Sequence, residues 1–208
     1  KVVPYCPRCG TALSSHEVAQ GYRDVDDPSI YVRFPLRDTP GTSLLVWTTT
    51  PWTLPSNQAA AIHPAVTYVE VVVGDERLIV AQPLVERVFG EGHTIAATLS
   101  ADDLVGRNYD APFPFVAGAH RIVAADFVTT EDGTGIVHIA PAFGEDDMAV
   151  GRANDLPLTN PVDKQGRFND QIVGFAGQFV KDADRGLIDD LERRGRLVRE
   201  QTYTHTYP

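Results

Sequence analysis

Two segments of this chain concentrate side chains that can do chemistry. The first is Trp47-Thr48-Thr49-Thr50-Pro51-Trp52-Thr53-Leu54-Pro55-Ser56-Asn57. It holds four threonine hydroxyls, a serine, an asparagine amide and both tryptophans of the chain within eleven residues. Each hydroxyl donates and accepts, so the segment can surround a ligand rich in hydroxyl, carbonyl and amine groups. Pro51 and Pro55 stiffen the backbone and remove donors, which suits a shaped wall. The indoles of Trp47 and Trp52 offer flat faces to a base or a ribose. The same composition also fits a strand end followed by a proline-rich turn, with Thr and Trp as strand formers. On the residues alone both readings stand.

The second segment is Gly133-Thr134-Gly135-Ile136-Val137-His138-Ile139-Ala140-Pro141-Ala142-Phe143-Gly144-Glu145-Asp146-Asp147. A glycine-flanked strand ends near His138, a loop follows, and a helix opens with three acids. His138 and Asp147 are nine positions apart, close enough to face one pocket across the loop. A carboxylate there can hold a substrate ammonium by a charge-assisted hydrogen bond. The plainer alternative is that the acids only satisfy a helix start and that His138 is a packed strand residue. Gly133 and Gly135 lack the third glycine of a dinucleotide fingerprint, and no Walker loop is present. No Gly-x-Ser-x-Gly elbow supports a serine hydrolase.

A third feature is Cys6-Pro7-Arg8-Cys9-Gly10, whose spacing fits half of a zinc knuckle or two idle thiols. Tetrahedral zinc takes four ligands, and the chain has no second cysteine pair. His16 and His205 can substitute, although neither has a recognised spacing. A redox role is weaker, since no thioredoxin-like βαβ pattern surrounds the pair.

The elements that must position these residues are mostly short strands. Alternating runs predict strands at Ile30–Phe34, Ser43–Thr49, His93–Leu99, Arg121–Val128, Gly135–Ile139 and Leu197–Thr204. Thr67–Val73 and Glu76–Ala81 flank Gly74-Asp75 and predict a hairpin. Helices are expected at Pro83–Phe89, Glu145–Asn154 and Asp182–Arg194, the last with Leu187, Ile188 and Leu191 at helical spacing and its charges on a solvated face. Residues 1–20 read as a small appendage, a half zinc knuckle with a connecting strand, and residues 21–208 as one domain. The fold class is β-rich mixed α/β (α+β), a curved sheet or β-barrel core with peripheral helices.

Composition bounds the function. The net charge of −10 over 208 residues disfavours a broad grip on phosphate backbones. No apolar run approaches the ~20 residues of a membrane span. The first residues carry no signal-peptide block, and two closely spaced cysteines are no secreted disulfide framework. The expected setting is cytoplasmic, without a membrane partner.

Together the segments resemble the editing (connective peptide) domain of isoleucyl-tRNA synthetases, which are class I aminoacyl-tRNA synthetases. The runs Trp47–Asn57 and Gly133–Asp147 are similar to that family's two signature segments, and Asn160-Pro161-Val162-Asp163-Lys164-Gln165-Gly166-Arg167-Phe168 to a third. Valyl and leucyl editing domains carry Thr-Thr-Arg-Pro where this chain has Thr48-Thr49-Thr50-Pro51. The resemblance implies hydrolysis of Val-tRNA(Ile), double-sieve proofreading by an aminoacyl-tRNA deacylase. It also implies a parent ligase that joins isoleucine to tRNA(Ile) with ATP. The segment lacks the His-Ile-Gly-His and Lys-Met-Ser-Lys-Ser signatures for that step.

The resemblance also implies residue roles. Asp147 matches the editing aspartate that holds the α-ammonium of the misattached amino acid. His138 and Thr50 match walls of the amino-acid pocket. Thr48, Thr49, Thr53 and Asn57 match positions that contact the terminal adenosine or the reacting ester, with Trp47 and Trp52 shaping the same cleft. Asp147, Thr53 and Thr50 are the expected catalytic set, with Thr hydroxyls and the free ribose hydroxyl orienting the water. The expected partner is the aminoacylated 3′ end of tRNA(Ile), with valine as the edited amino acid and the fragment monomeric. Editing is expected to need no cofactor. In the family a second cysteine pair follows the return strand, so Cys6 and Cys9 are expected to be half a zinc site with little or no stoichiometric zinc. A non-catalytic module, either zinc-ribbon-like or a binder of free nucleotides, is the alternative class; it has no need for both the Thr run and the His138…Asp147 pair.

Overall fold

The computed structural model describes residues 3–207; the side chains of Ser15, Arg23, His205 and Tyr207 lie outside that description. The chain opens with a hairpin of β1 (Tyr5–Cys6) and β2 (Thr11–Ala12), followed by α1 (Ser15–Gln20). A helix therefore stands where a connecting strand was expected. The reason is local: the Ser14 hydroxyl accepts from the Glu17 N–H while the Glu17 carboxylate accepts from the Ser14 N–H, a reciprocal cap.

There follow β3 (Arg23–Pro35), β4 (Thr42–Thr48), β5 (Ala59–Ile62), β6 (Tyr68–Val73), β7 (Glu76–Ala81), α2 (Val85–Phe89), β8 (Thr94–Leu99) and α3 (Ala101–Leu104). The chain ends with β9 (Arg121–Ala124), β10 (Ile136–Ile139), α4 (Glu145–Ala153), α5 (Val180–Arg193) and β11 (Leu197–Tyr207). The sequence-based strands and helices are all present, with β9 shorter and β3 and β11 longer than expected.

Six strands form a mixed sheet in the order β11-β3-β4-β7-β6-β8, antiparallel except where β4 meets β7. Among the described residues this sheet keeps two free ends, β8 and β11, so the curved-sheet description holds and the barrel is not closed. A second sheet, β10-β5-β9, places β5 in its centre. All four residues of β5 are buried, with Ala60 and Ile62 facing the main core and Ala59 and Ala61 a smaller one. Successive side chains point to opposite faces, so a strand buried on both sides needs no polar alternation. That is why β5 left no periodic signal.

Leu187, Ile188 and Leu191 seat α5 in the main core, as their spacing predicts. Asp184 departs from the solvated-face expectation, because it lies on the buried side of α5 at 4% exposure.

Candidate functional site

The threonine-rich segment is the joint between the two sheets. β4 ends at Thr48, the chain turns through Thr49 and Thr50, and a 3-10 segment, Pro51–Ser56, leads through Asn57 and Gln58 into β5. Pro51 opens the segment, where a missing N–H costs nothing and the fixed φ is already helical. Leu54 buries itself in the main core, and α5 packs across the joint.

The joint's side chains bond to one another. The Thr50 N–H donates to Thr48 Oγ1 at 3.1 Å, and Thr50 Oγ1 lies 3.3 Å from the hydroxyls of both Thr48 and Thr53. The Thr53 hydroxyl donates to the Thr50 carbonyl at 2.8 Å and stands 2.8 Å from His138 Nε2. Asn57 Nδ2 donates to the Ala59 carbonyl at 2.9 Å and lies 3.4 Å from His138 Nδ1. Tyr109 donates its hydroxyl to Asn57 Oδ1 at 2.6 Å, and His120 Nε2 donates to the Asn57 carbonyl at 3.2 Å.

His138 reaches this cluster because β10 runs antiparallel to β5 with His138 opposite Ala60. Alternation along β10 puts His138 on the face of Ile136, toward the main core, and Val137 and Ile139 on the other. Burial lowers the His138 pKa to about 4, so the ring is neutral at pH 7. Gly135, just before this strand, has φ of +72° and would place a Cβ 2.3 Å from Ala81 Cβ, so both conformation and space require glycine.

Asp147 is the third helical residue of α4, after Gly144 at the N-cap. Its Oδ1 accepts the Ala140 N–H at 2.8 Å, two residues beyond His138. Its Oδ2 lies over Gly144, where a Cβ would come within 2.0 Å of that oxygen. Burial raises the Asp147 carboxyl above its usual pKa, with the Ala140 N–H pulling the other way. One short stretch of backbone thus fixes the carboxylate relative to the imidazole.

In front of the joint is a cleft of about 750 Å³, lined by Thr50, Trp52, Phe143, Leu158, Phe179 and Lys181 among others. Trp52 meets Phe143 edge-on with ring centroids 5.0 Å apart, which links the joint to the loop before α4. The third sequence segment forms a further wall through Asn160, Asp163 and Lys164. Lys181 Nζ pairs with Asp27 Oδ1 at 2.6 Å and lies 3.3 Å from Asp184 Oδ2. Burial raises the Asp184 carboxyl to about 6, opposed by Lys181.

The structure therefore brings Thr48, Thr50, Thr53, Asn57 and His138 into one bonded cluster, with Thr50 and Trp52 facing the cleft. Asp147 adjoins it through Ala140, and its neighbour Met148 lines the cleft. Thr49, half-buried at the bend, joins none of these hydroxyl contacts among the described residues. Trp47 does not shape the cleft as expected. Alternation along β4 sends it to the other face from Thr48, where it packs on Gly133 and meets Tyr203 edge-on at 5.2 Å. Tyr109 and Asp184 carry no local motif: one lies in a loop far along the chain, the other inside a charge run.

Cys6 and Cys9 occupy the tip of the β1–β2 hairpin, with the Cys9 N–H donating to Cys6 Sγ at 3.3 Å. His16 is engaged by Gln20 at 2.9 Å on α1, and the His205 side chain lies outside the described residues. Among the described residues no three His, Cys, Asp or Glu side chains gather as a metal set. No described helix is long and apolar enough to cross a membrane.

No family model matches the chain. Its relatives include the isoleucine–tRNA ligases of Streptomyces coelicolor, 51% identical over 215 residues, and of Thermus thermophilus, 49% identical over 214 residues. The isoleucine–tRNA ligase of Thermobifida fusca is 50% identical. Each match covers the whole of this chain, which spans 20% of the relative's length. Among solved structures, the crystal structure of GlLeuRS-CP1 superposes with a TM-score of 0.65 at 17% identity, covering 86% of this chain and 98% of that one. At that identity the likeness establishes the fold. Along its full length this chain is thus similar to a segment that makes up one fifth of the isoleucine–tRNA ligases, and it carries the fold of GlLeuRS-CP1.

Proposed function

We propose that this segment hydrolyses valine from mischarged Val-tRNA(Ile). One missing methylene changes binding by only ~1–3 kcal/mol, a general limit for which isoleucyl enzymes are a standard illustration. A second pocket that excludes the larger side chain and hydrolyses what fits removes that limit. The observation that carries the reading is the meeting of Thr50, Thr53 and His138 in a closed hydroxyl–imidazole cluster beside the Asp147 carboxylate.

In this reading Asp147 Oδ2 pairs with the substrate ammonium, since Oδ1 is already held by Ala140. Thr50 and His138 set the size limit. Both ring nitrogens of His138 already face protein groups, so positioning rather than a free imidazole base serves the reaction. Thr hydroxyls and the free ribose hydroxyl orient a water toward the ester carbonyl. The bond between the carbonyl carbon and the ribose oxygen breaks, and that oxygen takes the proton from the water. The products are valine and tRNA with a free terminal hydroxyl. No cofactor enters this step.

The partner is the aminoacylated 3′ end of tRNA(Ile), met in the cytoplasm. An acidic chain handles a single charged adenosine with hydroxyls, a carboxylate and aromatic surface. The joining of isoleucine to tRNA with ATP belongs to the remainder of the ligase in this reading. Measuring Val-tRNA(Ile) hydrolysis by the chain and by Asp147→Ala tests it: a loss of rate in the variant is expected, and equal, measurable rates overturn it.

A further inference from the structure

Tyr109 is fully buried far along the chain from the joint, yet it ends the joint's hydrogen-bond chain. Its ring stacks on Phe34 at 5.0 Å, and its backbone N–H donates to the His120 carbonyl at 3.0 Å. The phenol is therefore held at a fixed place, and burial keeps it protonated as a donor.

Its hydrogen bond to Asn57 Oδ1 has a consequence two groups away. The Ala59 carbonyl can only accept, so Asn57 must present Nδ2 there and Oδ1 to Tyr109. The same Nδ2 then faces His138 Nδ1, which must accept. The ring's proton is left on Nε2, where it meets Thr53 Oγ1. From the other end, the single Thr53 hydroxyl hydrogen points to the Thr50 carbonyl, so Thr53 Oγ1 must accept from the ring. Both ends dictate the Nε2–H tautomer.

We propose that Tyr109 is a positioning residue that sets the tautomer and orientation of His138 through Asn57. A ring fixed this way holds the Thr53 hydroxyl toward Thr50, which keeps the pocket wall in one arrangement.

The test is the nitrogen NMR spectrum of the histidine-labelled 208-residue chain at pH 7, with His138→Gln identifying the His138 signals. The unaltered chain is expected to show Nε2 in the pyrrole-like range and Nδ1 in the pyridine-like range. Tyr109→Phe removes only the hydroxyl and should draw the two signals toward an average. Asn57→Asp, which offers an acceptor in place of the donor, should invert them and decides the matter if Tyr109→Phe does not fold. A proton on Nδ1 in the unaltered chain, or signals unmoved in both variants, overturns the proposal. The kinetic arm rests on the deacylase reading above. There Tyr109→Phe should lower kcat by about 10-fold with KM unchanged. Moved signals with unchanged kcat would overturn the positioning role. Absence of hydrolysis in the unaltered chain would fail the deacylase reading, leaving the spectrum to decide on Tyr109.

Discussion

The two sides of the site are built in opposite ways. On the joint side, Thr48, Thr50, Thr53, His138, Asn57 and Tyr109 spend their hydrogen bonds on one another. On the α4 side, Asp147 has one fixed bond, to Ala140, and a second oxygen above Gly144. A satisfied, neutral wall resists deformation and suits exclusion by size. A partly buried carboxylate with acceptor capacity in hand suits capture of a cation.

The largest expected contrast is in pH dependence. Neutral His138 has a folded pKa of about 4 against ~6.5 unfolded. Its contribution to stability is intact above pH 6.5 and is lost as pH falls through 4, by roughly 3 kcal/mol. Asp184 runs the other way: raised to about 6, its contribution is intact at low pH and lost as pH rises through 6. Denaturant melts of the chain and of His138→Gln from pH 7 to pH 4 separate the two, and parallel curves would refute the neutral wall.

Next in size is Asp147→Ala, which should slow Val-tRNA(Ile) hydrolysis by about 100-fold, the loss of a charge-assisted bond of roughly 3 kcal/mol. His138→Ala should widen the pocket and raise hydrolysis of correctly charged Ile-tRNA(Ile) by about 10-fold relative to the valyl ester, as for one methylene of discrimination. If that ratio stays put, the imidazole is not the size limit. The smallest effect belongs to Asp147→Asn. It keeps an acceptor for Ala140 and relieves a burial that disfavours the charge, so unfolding free energy should change by no more than about 0.5 kcal/mol while hydrolysis falls. A large destabilisation would make Asp147 a structural cap instead.

Much of this site was legible in the residues because glycine and proline bracket it. Pro51 opens the joint and Gly133, Gly135 and Gly144 bound the strand and loop that carry His138 toward Asp147. The rest depends on contacts between segments that no local pattern reports. β5 is alanine-rich and buried on both faces, so its period is invisible. Trp47 and Trp52 looked equivalent until strand alternation and the 3-10 turn separated them. Tyr109 reads as an ordinary loop aromatic until Asn57 is found 2.6 Å from its hydroxyl. The acidic net charge argues against a broad grip on phosphate backbones, yet under the proposed function a single terminal adenosine requires no basic face.

The most direct measurement is a crystal structure of the chain with a non-hydrolysable valyl-adenosine analogue. The expected result is the analogue's ammonium within hydrogen-bond reach of Asp147 Oδ2 and its isopropyl group against Thr50 and His138. An ammonium held elsewhere, with Asp147 still bonded only to Ala140, would contradict it.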